Sequence, residues 1–491
     1  MQFDSLTFLA FVGGIWLIYQ LTPERYRWQM MLVASLGFYA TFKAPLLLLA
    51  LCAVTVLSFE LGRRISRETK PSRRGGLLWA GIAANLSILC LVKYWRPIAA
   101  TAFPSLAPWC SEAGLFVTIG VSYFTLQAIS YLADVYLEVV EAEPHLGRFA
   151  LYLSFFPKLL QGPIERAGDL LPQLKASYRC NYDNMRSGVL LFAWGLFKKT
   201  AVANRLAPYV NTIYGDVRAY GGISLMMATY MYAIQVYADF SGYTDMALGV
   251  ARFFNVGLTQ NFNAPYLSSS VTEFWRRWHI SFSRWILDYI FRPLQTVWRG
   301  IGRAGTAAAL LVTFLFSGIW HGVAASFIVW GLLHGLYLAG WFLCAPVVSR
   351  FFKRLGCQNH PALKVAGVVL TFHLVCFAWI FFRANSLADG IYVSTHLLSG
   401  VGGYALAVVS NFRDLLHHKE LWDPILLGKT LPVFLLLLAS LAVMLAASLL
   451  HGRIRISAHP AWFRWPAYYA LVCSIALLST FDNVGFVYFQ F

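Results

Sequence analysis

A single histidine lies inside a long stretch of the chain that contains no acidic or basic residue. The stretch runs from Ala304 to Ser349 and includes His321 in the sequence LFSGIWHGVAAS. A neutral imidazole in such a setting can take a proton in a transition state and return it, which is the work of a general base. Gly318 and Gly322 let the backbone approach a helix or a ligand closely, and Trp320 offers a stacking wall. The residues alone leave two interpretations open, a catalytic histidine and a packed one.

A second candidate is a segment in which charged residues alternate with tryptophans. It reads TEFWRRWHISFSRWILDYIFRPL and includes Trp275, Arg276, Arg277, Trp278 and His279. Tryptophan and arginine both favour the headgroup zone of a membrane, so a surface helix is one interpretation. The charges recur on every side of the segment, which a simple surface helix does not need. The segment is therefore also a candidate part of a site.

Acidic residues interrupt another apolar stretch, YADFSGYTDMALG, at Asp239 and Asp245. One interpretation is structural, with these carboxylates paired with Arg276 or Arg277 to hold helices in register. Another is a proton relay together with His321 in a transporter. His334, in the sequence WGLLHGLY, is interpreted as a histidine that packs between helices.

Composition indicates the class of protein that holds these residues. The chain has 491 residues, of which 58% are hydrophobic and only 12% are charged, whereas soluble domains are about 25% charged. Apolar runs of roughly 17 to 25 residues recur along its length and predict an all-α, multi-pass membrane protein with about eleven to thirteen spans or re-entrant helices. The net charge of +17 is dispersed in short loops beside apolar runs. It therefore indicates cytoplasmic loops and attraction to anionic lipids rather than nucleic acid.

We predict a single membrane domain with three parts. Residues 1–140 form N-terminal helices, 141–385 a catalytic core, and 386–491 an extramembrane segment followed by closing spans. Within the core, glycine and proline break residues 145–210 into short helices of a re-entrant or interfacial kind. Residues 384–429 are predicted to lie outside the membrane, and 363–383, 430–450 and 466–484 to be the closing spans.

The motifs YADFSGYTDMALG, FWRRWHIS and SGIWHGVAASFIVWGLLHGLY resemble the membrane-bound O-acyltransferase family. The resemblance is to its bacterial branch of alginate O-acetyltransferases and D-alanyl-lipoteichoic acid transferases. It implies a ring of helices around a thinner centre, with a tunnel from the cytoplasm towards the outer face. It also implies that His321 is the family's invariant histidine and His279 its second, more variable polar position.

The resemblance implies transfer of an acyl group, acetyl in the first instance, from a cytoplasmic thioester such as acetyl-CoA to a hydroxyl on the outer face. No cofactor is expected to stay bound. His321 would remove the hydroxyl proton, and Trp320, Trp278 or His279 would support the oxyanion. Lys198, Lys199 and Arg205 have two interpretations, attraction of coenzyme A phosphates and ordinary positive-inside charge. Substituting His321 by alanine is expected to cost little packing.

The sequence leaves the identity of the acyl acceptor open. Leu287 stands where alginate-type members are expected to have an arginine, and a glycine-rich turn expected after it is absent. The main hypothesis is O-acetylation of an exopolysaccharide or cell-envelope polymer at the bacterial inner membrane. A separate periplasmic or cell-surface relay protein is expected, because a bulky glycan would not enter a tunnel lined by Trp275, Trp278 and Trp320. The alternatives are D-alanyl transfer to teichoic acid, a lipid O-acyltransferase, and a proton-coupled glycan or lipid transporter.

Overall fold

A computed structural model describes residues 1–102, 120–322, 324–357, 360–411, 418–427, 429–450, 459–481 and 485–486. About 80% of the chain is helical, and the described ranges contain no β-strand. The predicted all-α class is confirmed.

The N-terminal part begins with four helices. These are α1 (Leu6–Leu21), α2 (Arg27–Ala40), α3 (Pro45–Arg67) and α4 (Pro71–Ala102). Ser5 caps α1 by accepting a hydrogen bond from the Phe8 amide. Pro45 starts α3, where its missing N–H costs no helical hydrogen bond.

Shorter helical elements follow, and the predicted breaks within 145–210 are found as far as residue 181, whereas residues 182–215 run on as one continuous helical segment. They are α5 (Val121–Tyr136), α6 (Leu146–Ser154), α7 (Ala167–Lys175), α8 (Tyr182–Phe197), a π-helical turn (Lys198–Ala203) and α9 (Asn204–Gly215). The long helix α10 (Gly222–Phe253) closes this part.

The remaining helices carry the main candidate residues. They are α11 (Val271–Arg277), α12 (Ile280–Ile286), a π-helical turn (Leu287–Phe291), α13 (Arg292–Val297), α14 (Gly302–His321), α15 (Ala325–Arg354), α16 (Pro361–Arg383), α17 (Leu387–His396), α18 (Val401–Ser410), α19 (Lys419–Leu426), α20 (Leu431–Leu450) and α21 (Ala461–Leu478).

Six helical segments of the described chain are long and apolar enough to cross a membrane. They are Pro45–Arg67, Pro71–Lys93, Arg299–His321, Ala325–Arg354, Pro361–Arg383 and Leu431–Leu450. The count of eleven to thirteen spans or re-entrant helices stays a prediction. The predicted spans 363–383 and 430–450 correspond to α16 and α20. The third, 466–484, falls mainly on α21, which is not among the six.

The extramembrane position of the segment 384–429 stays a prediction, although part of this segment is apolar and helical. Helices α17 and α18 meet at a bend of 45° and together are long and apolar enough to form a broken span or a re-entrant loop. Each has only 10 residues, so neither is recognisable as a span from the sequence by itself.

The chain divides into two compact units whose boundaries do not follow the sequence order. The first consists of Met1–Gly195 and Tyr243–Gln260, and the second of Leu196–Gly242 and the described residues of Asn261–Val487. The three-part division at residues 140 and 385 stays a prediction. His279, His321 and His334 all belong to the second unit.

Candidate active site

His321 is the last residue of α14, at the point where the helix ends. The chain then leaves in an extended conformation at Gly322, whose amide donates to the Gly318 carbonyl at 3.2 Å. The imidazole is therefore carried by a rigid span and set against the carbonyl end of the helix. That end favours positive charge, including the charge an imidazole gains when it takes a proton.

Glycines bring α14 and α15 into close contact beside this histidine. A Cβ atom added at Gly318 would lie 2.4 Å from the Phe327 carbonyl oxygen, and one added at Gly331 would lie 2.4 Å from the Phe314 carbonyl oxygen. Only glycine permits this approach at both positions. The prediction that Gly318 allows close approach of a helix is confirmed.

Aromatic rings surround the His321 imidazole. The ring centroids of Trp320, Trp330 and Phe382 lie 4.8, 5.0 and 5.0 Å from it, all in edge-on arrangements. His321 nevertheless keeps 6% of its surface exposed. The expectation that His321→Ala costs little packing is wrong on this geometry, because alanine would leave a void among these rings.

His279 lies at a break between two short helices. Its backbone has a φ of +43°, in the left-handed region, and it precedes the first residue of α12. Asn261 accepts hydrogen bonds from the two residues that follow this turn. Its carbonyl accepts from the Ile280 amide at 3.0 Å, and its side-chain Oδ1 accepts from the Ser281 amide at 3.1 Å. Two hydrogen bonds thus offset the strain of a non-glycine residue in this conformation.

A stacked aromatic pair connects the surroundings of the two histidines. Phe282 and Trp320 stack at 4.4 Å between ring centroids. The His279 ring lies 5.1 Å from Phe282, and the His321 ring lies 4.8 Å from Trp320. The structure therefore brings together three of the predicted residues, His321, His279 and Trp320, around one pair of rings.

His334 belongs to the same aromatic cluster but has a different kind of setting. Trp275 donates a hydrogen bond from Nε1 to His334 Nδ1 at 3.2 Å, which places the imidazole proton on Nε2. The His334 ring lies 5.1 Å from Trp330, and none of its surface is exposed. This agrees with its interpretation as a packing histidine, and Trp275 is the residue that holds it.

Trp278 is also fully surrounded. Its ring stacks on Phe274 at 5.4 Å and lies 5.1 Å from Trp379, and 1% of its surface is exposed. Trp320, next to His321 in sequence and stacked on Phe282, is the better placed of the two to contact a ligand at that histidine.

The predicted partners of Asp239 are wrong. Asp239 pairs with Lys199 at 2.8 Å between Oδ1 and Nζ, and each side chain is only 1% exposed. Arg277 instead pairs with Glu273 four residues earlier on α11, a spacing that a helix places on one face. Arg276, the other predicted partner, is exposed.

Asp245 lies one and a half turns after Asp239 on α10, in the first compact unit, whereas Asp239 and Lys199 belong to the second. It is not part of the group around His321 within that second unit.

The three basic residues considered for coenzyme A phosphates are held by the protein itself. Lys198 donates to the Ser241 hydroxyl at 2.9 Å, Lys199 pairs with Asp239, and Arg205 donates to the Leu478 carbonyl at 2.5 Å. Both lysines are buried in the π-helical turn. Their burial favours neither interpretation of the lysines, attraction of coenzyme A phosphates or ordinary positive-inside charge.

Sequence reasoning missed Asn261, which clamps the turn at His279, and the rings of Trp330 and Phe382 around His321. The polar pattern TQNFN at residues 259–263, upstream of the tryptophan-rich segment, could have indicated the asparagine. Nothing local could have indicated Phe382, because it is 61 residues after His321 and reaches it only through helix packing.

Comparison with known proteins agrees with the motifs. The model of the membrane-bound O-acyltransferase family matches residues 111–384. A peptidoglycan O-acetyltransferase of Helicobacter pylori is 33% identical over 77% of this chain and 75% of its own length. A probable alginate O-acetylase, AlgI, of Pseudomonas syringae pv. tomato is 35% identical over 79% of this chain and 73% of its own length. A teichoic acid D-alanyltransferase of Bacillus subtilis is 24% identical over 69% of this chain and 85% of its own length.

The matched region contains both histidines, the clamp at Asn261 and the glycine contact between α14 and α15. It lies in a chain with several helices apolar enough to cross a membrane. The protein is a multi-pass membrane O-acyltransferase, and it belongs to the membrane-bound O-acyltransferase family.

Proposed function

We propose that this protein transfers an acetyl group from acetyl-CoA on the cytoplasmic side of the bacterial inner membrane to a hydroxyl group on the outer side. The end product is an O-acetylated polysaccharide of the cell envelope. The proposal is supported by the relatives named as O-acetylating enzymes, which match at 33% and 35% identity, against 24% for the D-alanyltransferase.

The observation that carries the proposal is the setting of His321. Among the histidines of the aromatic cluster described in the second unit, it combines a position at the carbonyl end of a span with the largest residual exposure of the residue, 6% against 1% for His279 and 0% for His334. A group that moves protons to and from substrates must be reachable by them.

In the proposed step, the acceptor oxygen attacks the carbonyl carbon of the thioester as His321 takes the hydroxyl proton. The new carbon–oxygen bond forms, the carbon–sulfur bond breaks, and the proton passes to the leaving thiolate. The carbonyl end of α14 stabilises the imidazolium while it exists. A general base contributes typically about 10² to 10⁴-fold to such a step.

The negative charge that develops on the carbonyl oxygen needs a hydrogen-bond donor. His279 and Trp320 are the proposed sources, because both border the Phe282 ring together with His321. Trp278 is a weaker candidate, since its ring is enclosed by Phe274 and Trp379. His334 has the role of supporting Trp330, which forms one wall of the His321 surroundings.

The acceptor is proposed to reach the site through a separate protein. The rings of Trp320, Trp330 and Phe382 lie 4.8 to 5.0 Å from the His321 ring between centroids, and a bulky polymer would have to displace them. We therefore propose a periplasmic or cell-surface relay protein that presents a serine or a similar hydroxyl and then passes the acetyl group to the polysaccharide. As an acyltransferase, the protein has no need of ion coupling, and the transporter alternative is set aside.

A reconstituted system tests the proposal. The protein is placed in lipid nanodiscs with radiolabelled acetyl-CoA and the candidate envelope proteins, and both free thiol and labelled acceptor are measured. His321→Gln is expected to reduce transfer by at least about 10²-fold. The matched control is His373→Gln, which removes an exposed imidazole from another apolar helix.

Two results would contradict the proposal. One is transfer at the unsubstituted rate by folded His321→Gln protein, which removes the histidine from the mechanism. The other is efficient acetylation of polysaccharide by this chain alone, which removes the relay protein.

A further inference from the structure

The second unit contains a large cavity whose lining includes Trp275 but neither His321 nor His334. Its volume is about 1000 Å³, which is at the upper end of the roughly 300 to 1,000 Å³ common for ligand sites. Helices α11 to α15 form its walls, and most of the lining side chains are apolar. The acyl transfer described above does not use it.

The cavity follows α14 for about half of its length. Its lining includes Arg303 near the start of that helix and Phe314 further along. These residues are eleven positions apart, which is about 16 Å along a helix. The hydrocarbon layer of a bilayer is about 30 Å thick, so the cavity is as deep as one leaflet.

The adjoining wall is the antiparallel part of α15, which packs directly against α14. Arg303 fixes this register, because its guanidinium donates to the carbonyl oxygens of Phe342 and Leu343 at 2.8 and 3.0 Å. Trp341, which also lines the cavity, is 46% exposed although it lies in a membrane-spanning helix. The cavity is thus bordered by a side chain that faces the lipid.

All the charged residues that line the cavity are basic. The lining residues include Arg276, Arg284 and Arg303 but no aspartate or glutamate. The same end of the helix pair also carries Arg299, near the start of α14, and Arg350, near the end of α15, and the positive-inside rule assigns such an end to the cytoplasm. Anionic lipids are concentrated in that leaflet.

We propose that this cavity binds one anionic phospholipid from the cytoplasmic leaflet. An acyl chain lies along the apolar wall between α14 and α15, and the arginines hold the phosphate-bearing headgroup. Coenzyme A is also anionic, but its polar nucleotide would meet the exposed ring of Trp341 at a border that faces hydrocarbon. The site is distinct from the histidine site and does not depend on the proposed acetyl transfer.

Photo-crosslinking of the full chain in nanodiscs tests this. The probe is phosphatidylglycerol with a diazirine in one acyl chain, and labelled peptides are mapped by mass spectrometry. Labelling is expected on residues 306–314 and 338–346, and excess phosphatidylglycerol is expected to compete it away while phosphatidylcholine does not. Arg284→Gln and Arg303→Gln should each reduce labelling about five-fold, on the basis of the usual attraction per basic residue.

Two further variants complete the design. Arg354→Gln removes a charge from the end of α15, outside the cavity lining, and should leave labelling unchanged. Ala345→Phe fills the apolar part and should abolish labelling without altering charge, which keeps the test valid if an arginine variant does not fold. Equal labelling by phosphatidylcholine, no labelling in these two segments, or competition by coenzyme A would each overturn the proposal.

Discussion

The contact between α14 and α15 at Gly318 gives a direct test of how the structure positions His321. Gly318 lies three residues before the histidine on the same helix, so a displacement of the helix at Gly318 also displaces His321. A methyl group at this position would meet the Phe327 carbonyl oxygen at 2.4 Å and the Gly331 Cα at 3.4 Å. Both belong to backbone, which cannot rotate away.

The size of the effect follows from these distances. Ordinary contact begins at 3.4 Å, so α14 must move by about 1.0 Å (3.4 − 2.4) to accommodate Gly318→Ala. Overpacking of this kind costs typically about 1 to 3 kcal/mol of stability. A displacement of about 1 Å in a catalytic group can lower the rate by about 10²-fold. We expect the variant to fold, to be less stable, and to lose most of its acyl transfer.

The assay is single-turnover transfer from a radiolabelled thioester, normalised to folded protein, together with thermal unfolding in detergent. Gly340→Ala is the matched control, because it adds the same methyl group to α15 at a position with no atom within 4 Å. The control should keep both its transfer rate and its unfolding temperature.

Unchanged transfer and stability in Gly318→Ala would refute the reasoning, since the helices would then have room that the structure does not show. A loss of stability without loss of transfer would mean that the contact supports the fold but does not position His321.

Three other outcomes are expected. Lys199→Ala leaves a buried carboxylate without its partner and should lower the free energy of unfolding by about 3 kcal/mol; a change below 1 kcal/mol in chemical unfolding would show that water reaches the pair. His279→Ala should reduce single-turnover transfer, but less than His321→Gln does, because its proposed part is oxyanion support; equal losses, or no loss, would contradict that ranking. Trp275→Phe removes the donor to His334 Nδ1 and should cost about 1 to 3 kcal/mol with transfer largely retained; a large loss of transfer in stable protein would give His334 a closer role.

Motifs and composition predicted much of the local organisation. Glycine and proline separate the short helices between residues 145 and 181, and Gly318 marks a close helix contact. These features depend on neighbours along the chain or on the absence of a Cβ atom, and such properties are visible in the sequence.

The resemblance carried by SGIWHG and FWRRWHIS led to the family and to the role expected of His279, whereas the uncharged surroundings of His321 already made that residue a candidate. The length of a span could also be read directly for the most apolar helices, because about 20 apolar residues are needed whatever surrounds them. The bent pair α17 and α18 cannot be identified as a candidate span in this way, because each half is too short to meet that requirement alone.

The partners of charged and aromatic side chains were decided only by the tertiary structure. Asp239 pairs with Lys199, 40 residues away, rather than with the arginines of α11. Phe382 reaches His321 from a different helix. A sequence shows which residues need a partner, since a buried charge or a polar ring is costly without one. The partner that such a side chain contacts depends on the angle and register at which helices cross. These are set by packing across the whole unit.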